Sequence, residues 1–273
     1  MSKSSTGSSS SYVNPTVGSR LVYQIEDMHR ARITSGIVYT GDQAEPLELD
    51  VYLPPNGGSE PLPAVLLGGP PFFEAGKDSG QKVGWSQLIA ASGLAAVAFD
   101  IRSDGYLKRP SEPTADVRAA IAFVRERGHE LGIDPERLAT LGFSFGTAPW
   151  HLAATMQEPL SFVRCNVVYY GPLDLHDAGV PMNPELADAY SATSFLRLHG
   201  PRIAPMLVAK AGLDSVALNG SIDAFIGEAT AVGADARLEV HERGQHGFDV
   251  RDDDERSRAI IRDTLGYLLE RLA

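Results

Sequence analysis

Leu138-Ala139-Thr140-Leu141-Gly142-Phe143-Ser144-Phe145-Gly146-Thr147-Ala148 is the stretch on which the reading of this chain turns. It starts as an apolar run of strand length and ends by opening a helical pattern that continues to Met156. Between the two, Gly142-Phe143-Ser144-Phe145-Gly146 matches G-x-S-x-G. The match alone is modest, because in a chain with 27 glycines chance supplies roughly 0.2 such matches. Its context adds weight: a strand feeding a helix through a tight turn lifts a serine above the sheet edge, and glycine at each flank avoids a clash with the neighbouring strand and helix. An ordinary strand-to-helix turn with a capping serine is the alternative with the same local pattern.

The same grammar repeats outward. Residues 64–67 and 94–99 are continuous apolar runs, as expected of strands buried on both faces. Further strands are expected at 165–170, 205–209 and 237–241, and helical patterns at 84–92, 114–128, 146–156, 222–232 and 254–272; in the second, Val117, Ile121, Phe123 and Val124 form an apolar stripe. Strands alternating with helices predict βαβ units and an α/β fold with an open, mostly parallel sheet of about eight strands. Two earlier strands, 36–40 and 47–53, read as a leading hairpin or meander. Residues 1–20 read as a flexible Ser-rich tail and 21–273 as one domain. Residues 171–204 exceed an ordinary connection and carry several prolines, so they are expected to form a small lid over the carboxyl ends of the strands.

Composition narrows the function classes. Apolar residues are 43% and charged residues 22% of the 273, close to globular averages. Asp plus Glu number 35 against 24 Lys plus Arg, a net charge of −11, which disfavours a nucleic-acid partner. No run reaches the ~18 apolar residues of a membrane span, and the N-terminus lacks the apolar core of a secretory signal. Together these predict a cytoplasmic protein with no membrane partner, acting on a small molecule; a homodimer is compatible. The single cysteine, Cys165, cannot form an internal disulfide and is expected to be a buried small hydrophobe.

A serine hydroxyl needs a base within hydrogen-bond reach and a third group to fix that base's tautomer. His246, in Gly244-Gln245-His246-Gly247-Phe248-Asp249, lies in a loop just past a strand and is the expected base. His241 falls on a strand, while His29, His129, His151, His176 and His199 fall in regions of surface or lid character. Asp214 directly follows the strand at 205–209 and is favoured as the acid; Asp174, after the preceding strand, is its rival.

These residues, in the chain order Ser144, Asp214, His246, resemble the α/β-hydrolase superfamily over about residues 35–273, with most similarity to dienelactone hydrolases and small esterases or acyl-peptidases. The resemblance implies an α/β-hydrolase fold and a serine carboxylesterase-type hydrolase that cleaves a small or medium ester through an acyl-enzyme, with peptidase, acyltransferase, lactonase or non-catalytic ligand binding as alternatives. No cofactor and no metal are implied. Leu67-Gly68-Gly69-Pro70-Pro71-Phe72-Phe73 resembles the family's oxyanion loop without its usual histidine, and since prolines donate no N–H, the expected oxyanion donors are Phe145 with Gly69 or Phe72. Dienelactone hydrolases carry cysteine where Ser144 stands. Phe73, Trp85, Tyr190 and Phe195 are expected to line the substrate pocket, and Glu74, Lys77 and Arg102 are further polar possibilities, each more often structural.

Overall fold

The computed structural model describes residues 20–40, 46–69, 76–102, 107–176, 178–179 and 181–273. Eight strands form one sheet: β1 (Arg32–Val38), β2 (Glu48–Leu53), β3 (Leu62–Gly69), β4 (Ala95–Asp100), β5 (Ile133–Phe143), β6 (Val163–Tyr169), β7 (Met206–Ala211) and β8 (Ala236–His241). Their order is β1-β2-β4-β3-β5-β6-β7-β8. Only β2 runs against its neighbours, pairing antiparallel with β1 and β4; every pairing from β4 to β8 is parallel.

The first strand differs from its sequence expectation. It begins at Arg32 and ends at Val38, with a register shift between Thr34 and Ile37, and Gly36 inside that bulge has a φ of 72°. The bulge breaks the alternation that would have marked the strand.

Helices follow the strands in turn: α1 (Gly80–Ala91), α2 (Ser111–Arg127), α3 (Ser144–Met156), α4 (Pro184–Tyr190), α5 (Ala192–His199), α6 (Val216–Val232), α7 (Phe248–Arg251) and α8 (Glu255–Leu272). Alternate residues of the central strands feed opposite faces of the sheet, as the pleat requires. Val65, Leu67, Ala96 and Ala98 pack with Leu88 and Ile89 of α1 and Ile260, Ile261 and Leu268 of α8. Ala64, Leu66, Ala95 and Val97 pack with Val117, Ile121 and Val124 of α2 and Trp150 of α3. Both faces are therefore covered, which explains the unbroken apolar runs.

The segment 171–204 carries α4 and α5. Its Ala192, Phe195 and Leu196 join a third cluster with Leu152 of α3 and Ile222 and Phe225 of α6. Cys165 is a buried free thiol, raised to about 12 by burial. Among the described residues no helix is long and apolar enough to cross a membrane.

Candidate active site

β5 and β6 run side by side, with Phe143 and Tyr169 as Cα partners. The next residue of each, Ser144 and Tyr170, leaves the sheet in the left-handed region, at φ 55° and 38°. Neither is glycine, so each carries a backbone cost on the order of 1–2 kcal/mol that packing must offset. At Ser144 two features provide that packing. Thr147 clamps the turn: the Phe143 N–H donates to Thr147 Oγ1 at 2.5 Å, and that hydroxyl donates to Phe143 O at 2.8 Å. Close approach of α3 does the rest. A Cβ on Gly142 would stand 2.8 Å from Ala148 Cα, and one on Gly171 would stand 2.4 Å from Ala148 Cβ.

Ser144 Oγ lies 2.7 Å from His246 Nε2, and His246 Nδ1 lies 2.5 Å from Asp214 Oδ2. The carboxylate can only accept, so Nδ1 carries the proton and Nε2 is left to accept from the serine hydroxyl. His246 is 39% exposed and Asp214 12%, so the chain of bonds opens to solvent at the imidazole. Asp214 is held in the turn between β7 and α6, where the Ser215 hydroxyl caps α6 by accepting from Leu218 N–H at 3.2 Å. Asp174 lies elsewhere: its carboxylate accepts from the His176 N–H at 3.0 Å and contacts His176 Nδ1 at 3.1 Å.

Phe145 occupies the first turn of α3, where backbone amides point out of the helix's N-terminal end. Gly69 closes β3 beside Asp100 of β4. Its neighbour Gly68 donates its N–H to His151 Nε2 at 3.0 Å. Phe72, Phe73 and Glu74 lie outside the described residues.

Several expected roles are corrected. Trp85 is fully buried in the core under α1 and donates its indole N–H to Asp249 at 2.8 Å, so it does not line a pocket. Phe195 is buried against α3 and α6. Tyr190 is half-buried, its ring 6.5 Å from Trp150, which in turn lies 6.0 Å from Phe145. That aromatic chain links α4 to the residue beside Ser144. Lys77 is buried between Asp50 and Asp78 at 3.3 Å from each, and Arg102 pairs with buried Asp116 at 2.6 Å, the structural role already the more common expectation for such charges.

His151, assigned by sequence to a surface or lid region, is buried on α3. Its Nδ1–H donates to Thr147 O at 3.0 Å, leaving Nε2 to accept from Gly68. Burial pushes its pKa down to about 4, so it is a neutral strut between α3 and the end of β3. A buried polar cluster of Gln81, Lys82, Trp85, Tyr170 and Asp249 also escaped the sequence reading, since its members lie up to 168 residues apart. Among the described residues no group of three or more His, Cys, Asp or Glu side chains is arranged to hold a metal ion.

The strand order, with its strained turn after β5, identifies the chain as a protein of the α/β-hydrolase fold. Solved structures of esterases superpose on it at length. A thermophilic esterase of Thermogutta terrifontis matches with a TM-score of 0.68 at 21% identity, over 89% of this chain and 93% of that one. A truncated carbohydrate esterase from gut microbiota matches at 0.72 and 19%, over 90% and 98%, and a bacterial heroin esterase at 0.69 and 18%, over 89% and 84%. Residues 49–180 match the family model described as BD-FAE. An uncharacterized protein of Pseudomonas aeruginosa is 35% identical over 101 residues, 32% of this chain. The chain spans about a quarter of that relative's length, 26%.

Proposed function

We propose that the protein is a serine esterase that cleaves a small or medium carboxylic ester through an acyl-enzyme. The observation that carries this reading is the unbroken bond sequence from Ser144 Oγ to His246 Nε2, and from His246 Nδ1 to Asp214, with the tautomer fixed as a base requires. The neighbours support an ester substrate: Thermogutta terrifontis esterase 2 has been solved with propionate and with butyrate bound, and phosphonylated by sarin.

In the proposed reaction Ser144 Oγ bonds to the ester carbonyl carbon while His246 Nε2 takes the hydroxyl proton. Asp214 stabilises the imidazolium and holds its orientation. The oxyanion accepts from the Phe145 N–H together with a second donor, Gly69 or Phe72. Collapse breaks the bond to the leaving oxygen, which takes the proton from His246 and departs as the alcohol. Water then loses a proton to the same nitrogen as its oxygen bonds to the acyl carbon; the bond from that carbon to Ser144 Oγ breaks, Oγ takes the proton back from His246, and the carboxylic acid departs. Tyr190 and the segment 171–204 border the acyl side in this proposal.

Labelling with a fluorophosphonate, followed by peptide mapping of the wild type and of Ser144→Ala, tests the reading. An adduct on Ser144 that is absent from the variant is expected, with hydrolysis of 4-nitrophenyl acetate or butyrate. Folded wild-type protein that takes no label would overturn it. Adding an alcohol or amine acceptor and analysing the products separates hydrolysis from acyl transfer.

A further inference from the structure

The two hydrogen bonds of His246 lie at opposite sides of its ring, at Nε2 and Nδ1. They fix a line through the imidazole; the tilt about that line is set by the bond to Cβ and by what packs on the ring face. On that face stands Tyr170, whose ring centroid lies 4.7 Å from that of His246 at an interplanar angle of 55°.

Tyr170 is itself unusually constrained. Its backbone is left-handed, at φ 38°, with its N–H bonded to Ala209 O at 2.7 Å. Its hydroxyl donates to Asp249 Oδ1 at 2.5 Å and accepts from Gln81 Nε2 at 2.7 Å. Asp249 is fully buried, and its other oxygen accepts from Gln81 Nε2 and the Trp85 indole, both at 2.8 Å. Every neighbour in this set donates, so both Asp249 oxygens accept. Burial raises the Asp249 pKa above the ordinary carboxylate range, and its donors Tyr170, Trp85 and Gln81 oppose that rise; the Lys82 ammonium lies 4.4 Å above the Phe143 ring. Burial lowers Lys82 to about 8, a fall that the Asp249 charge opposes.

Asp249 lies three residues after His246, and its own carbonyl accepts from Val22 N–H at 2.9 Å. The loop therefore closes on itself: His246 leads along the chain to Asp249, Asp249 fixes Tyr170, and the Tyr170 ring returns to the imidazole. We propose that Tyr170 and Asp249 act as one unit of positioning residues that sets the tilt of the His246 ring, a support separate from the one Asp214 gives at Nδ1. The inference rests on the esterase reading above.

The test uses Tyr170→Phe, Asp249→Asn and the double variant, with kcat and KM for 4-nitrophenyl butyrate. Misplacing a catalytic group by a fraction of an ångström to 1 Å costs up to about 100-fold in rate. Each single variant is therefore expected to lose about tenfold or more in kcat with KM within about twofold. Because the two side chains serve one contact, the double variant is expected to lose no more than the worse single. A wild-type kcat in both singles overturns the proposal. So does a loss confined to KM, or a double-variant loss equal to the product of the singles. Should Asp249→Asn not fold, Tyr170→Phe and Gln81→Met with their double carry the same comparison, since Gln81 donates to both members. Fluorophosphonate labelling of the wild type separates the two readings. No label on folded wild type removes the esterase assignment, whereas a labelled wild type with unaffected variants removes only this inference.

Discussion

Gly171→Ala is the substitution that the geometry condemns most directly. The added methyl would stand 2.4 Å from Ala148 Cβ, 2.9 Å from Val168 Cγ1 and 3.3 Å from Ser144 O. Carbon atoms pack at about 3.5–4.0 Å, so α3 and the 171 loop must separate by about 1 Å, while the smaller overlap with Val168 is relieved by turning one methyl. Overpacking of this kind costs about 1–3 kcal/mol, which for a chain of this size lowers Tm by about 2–4 °C per kcal/mol. The stability loss is tolerable, but the displaced element carries Ser144 at its first position. A shift approaching 1 Å is expected to reduce kcat about 10- to 100-fold. Thermal unfolding and 4-nitrophenyl butyrate hydrolysis measure the two effects separately. Ala148→Gly, introduced with Gly171→Ala, removes the atom that is struck; it costs about 1 kcal/mol as a helical glycine and is expected to recover most of the rate while leaving Tm low. Wild-type kcat in Gly171→Ala, or no recovery in the double variant, would refute the idea that this contact seats the serine.

Asp214→Asn, which leaves His246 Nδ1 facing an amide in place of a carboxylate, is expected to lower kcat by about 10⁴-fold, whereas Asp174→Asn should stay within about twofold of wild type; steady-state kinetics that reverse this ranking would move the acid to Asp174. His151 makes an acid-stability prediction. Its pKa is lowered from 6.5 to about 4 in the folded protein, so between those values the unfolded chain binds the extra proton and stability must fall as the pH falls. The loss from this group is about 2 to 3 kcal/mol at pH 4.5. His151→Gln keeps an acceptor for the Gly68 N–H but cannot titrate, so urea unfolding at pH 7.5 and 4.5 should show a smaller pH difference than in wild type; equal differences would refute a neutral, buried His151.

How much of this could be read from the chain depends on whether the signal was local. The buried strands announce themselves because each is an apolar run on both faces, and the β5-to-α3 turn does so through Gly142 and its serine. Ser144, Asp214 and His246, which the fold brings together, are legible because each follows a strand, where a parallel sheet collects its loops at one edge. Asp214 and Asp174 are both aspartates just after a strand; the sequence favours Asp214, and it is the Asp214 carboxylate that lies 2.5 Å from His246 Nδ1. Trp85 and Phe195, expected from sequence to line the pocket, both fill the core, the commoner fate of such side chains. The buried place of His151 is not legible in the sequence because its partner, the Gly68 N–H, is 83 residues away. The Asp249 cluster had no local signature at all. Tyr170 read as the end of a strand and Asp249 as a loop residue, and only the packing of α1 against the β6 end brings Gln81 and Trp85 to them.

The strain at the site and the glycines beside it are parts of one arrangement. Two adjacent parallel strands end in register, each on a non-glycine residue forced into the left-handed region. Such residues persist only where the surroundings over-determine them. For Ser144 the surroundings are the Thr147 clamp and the seat of α3 on Gly142 and Gly171, neither of which leaves room for a Cβ. For Tyr170 they are the Ala209 carbonyl, the Asp249 carboxylate and Gly171, the next residue along. Gly171, which follows Tyr170 directly, gives α3 room to come down beside Ser144. Ser144 Oγ and the Tyr170 ring thus project from neighbouring strand ends onto the same imidazole, one at its edge and one at its face. Relaxing either backbone would move a contact that the other depends on, which is why the left-handed pair is expected to survive or fail together.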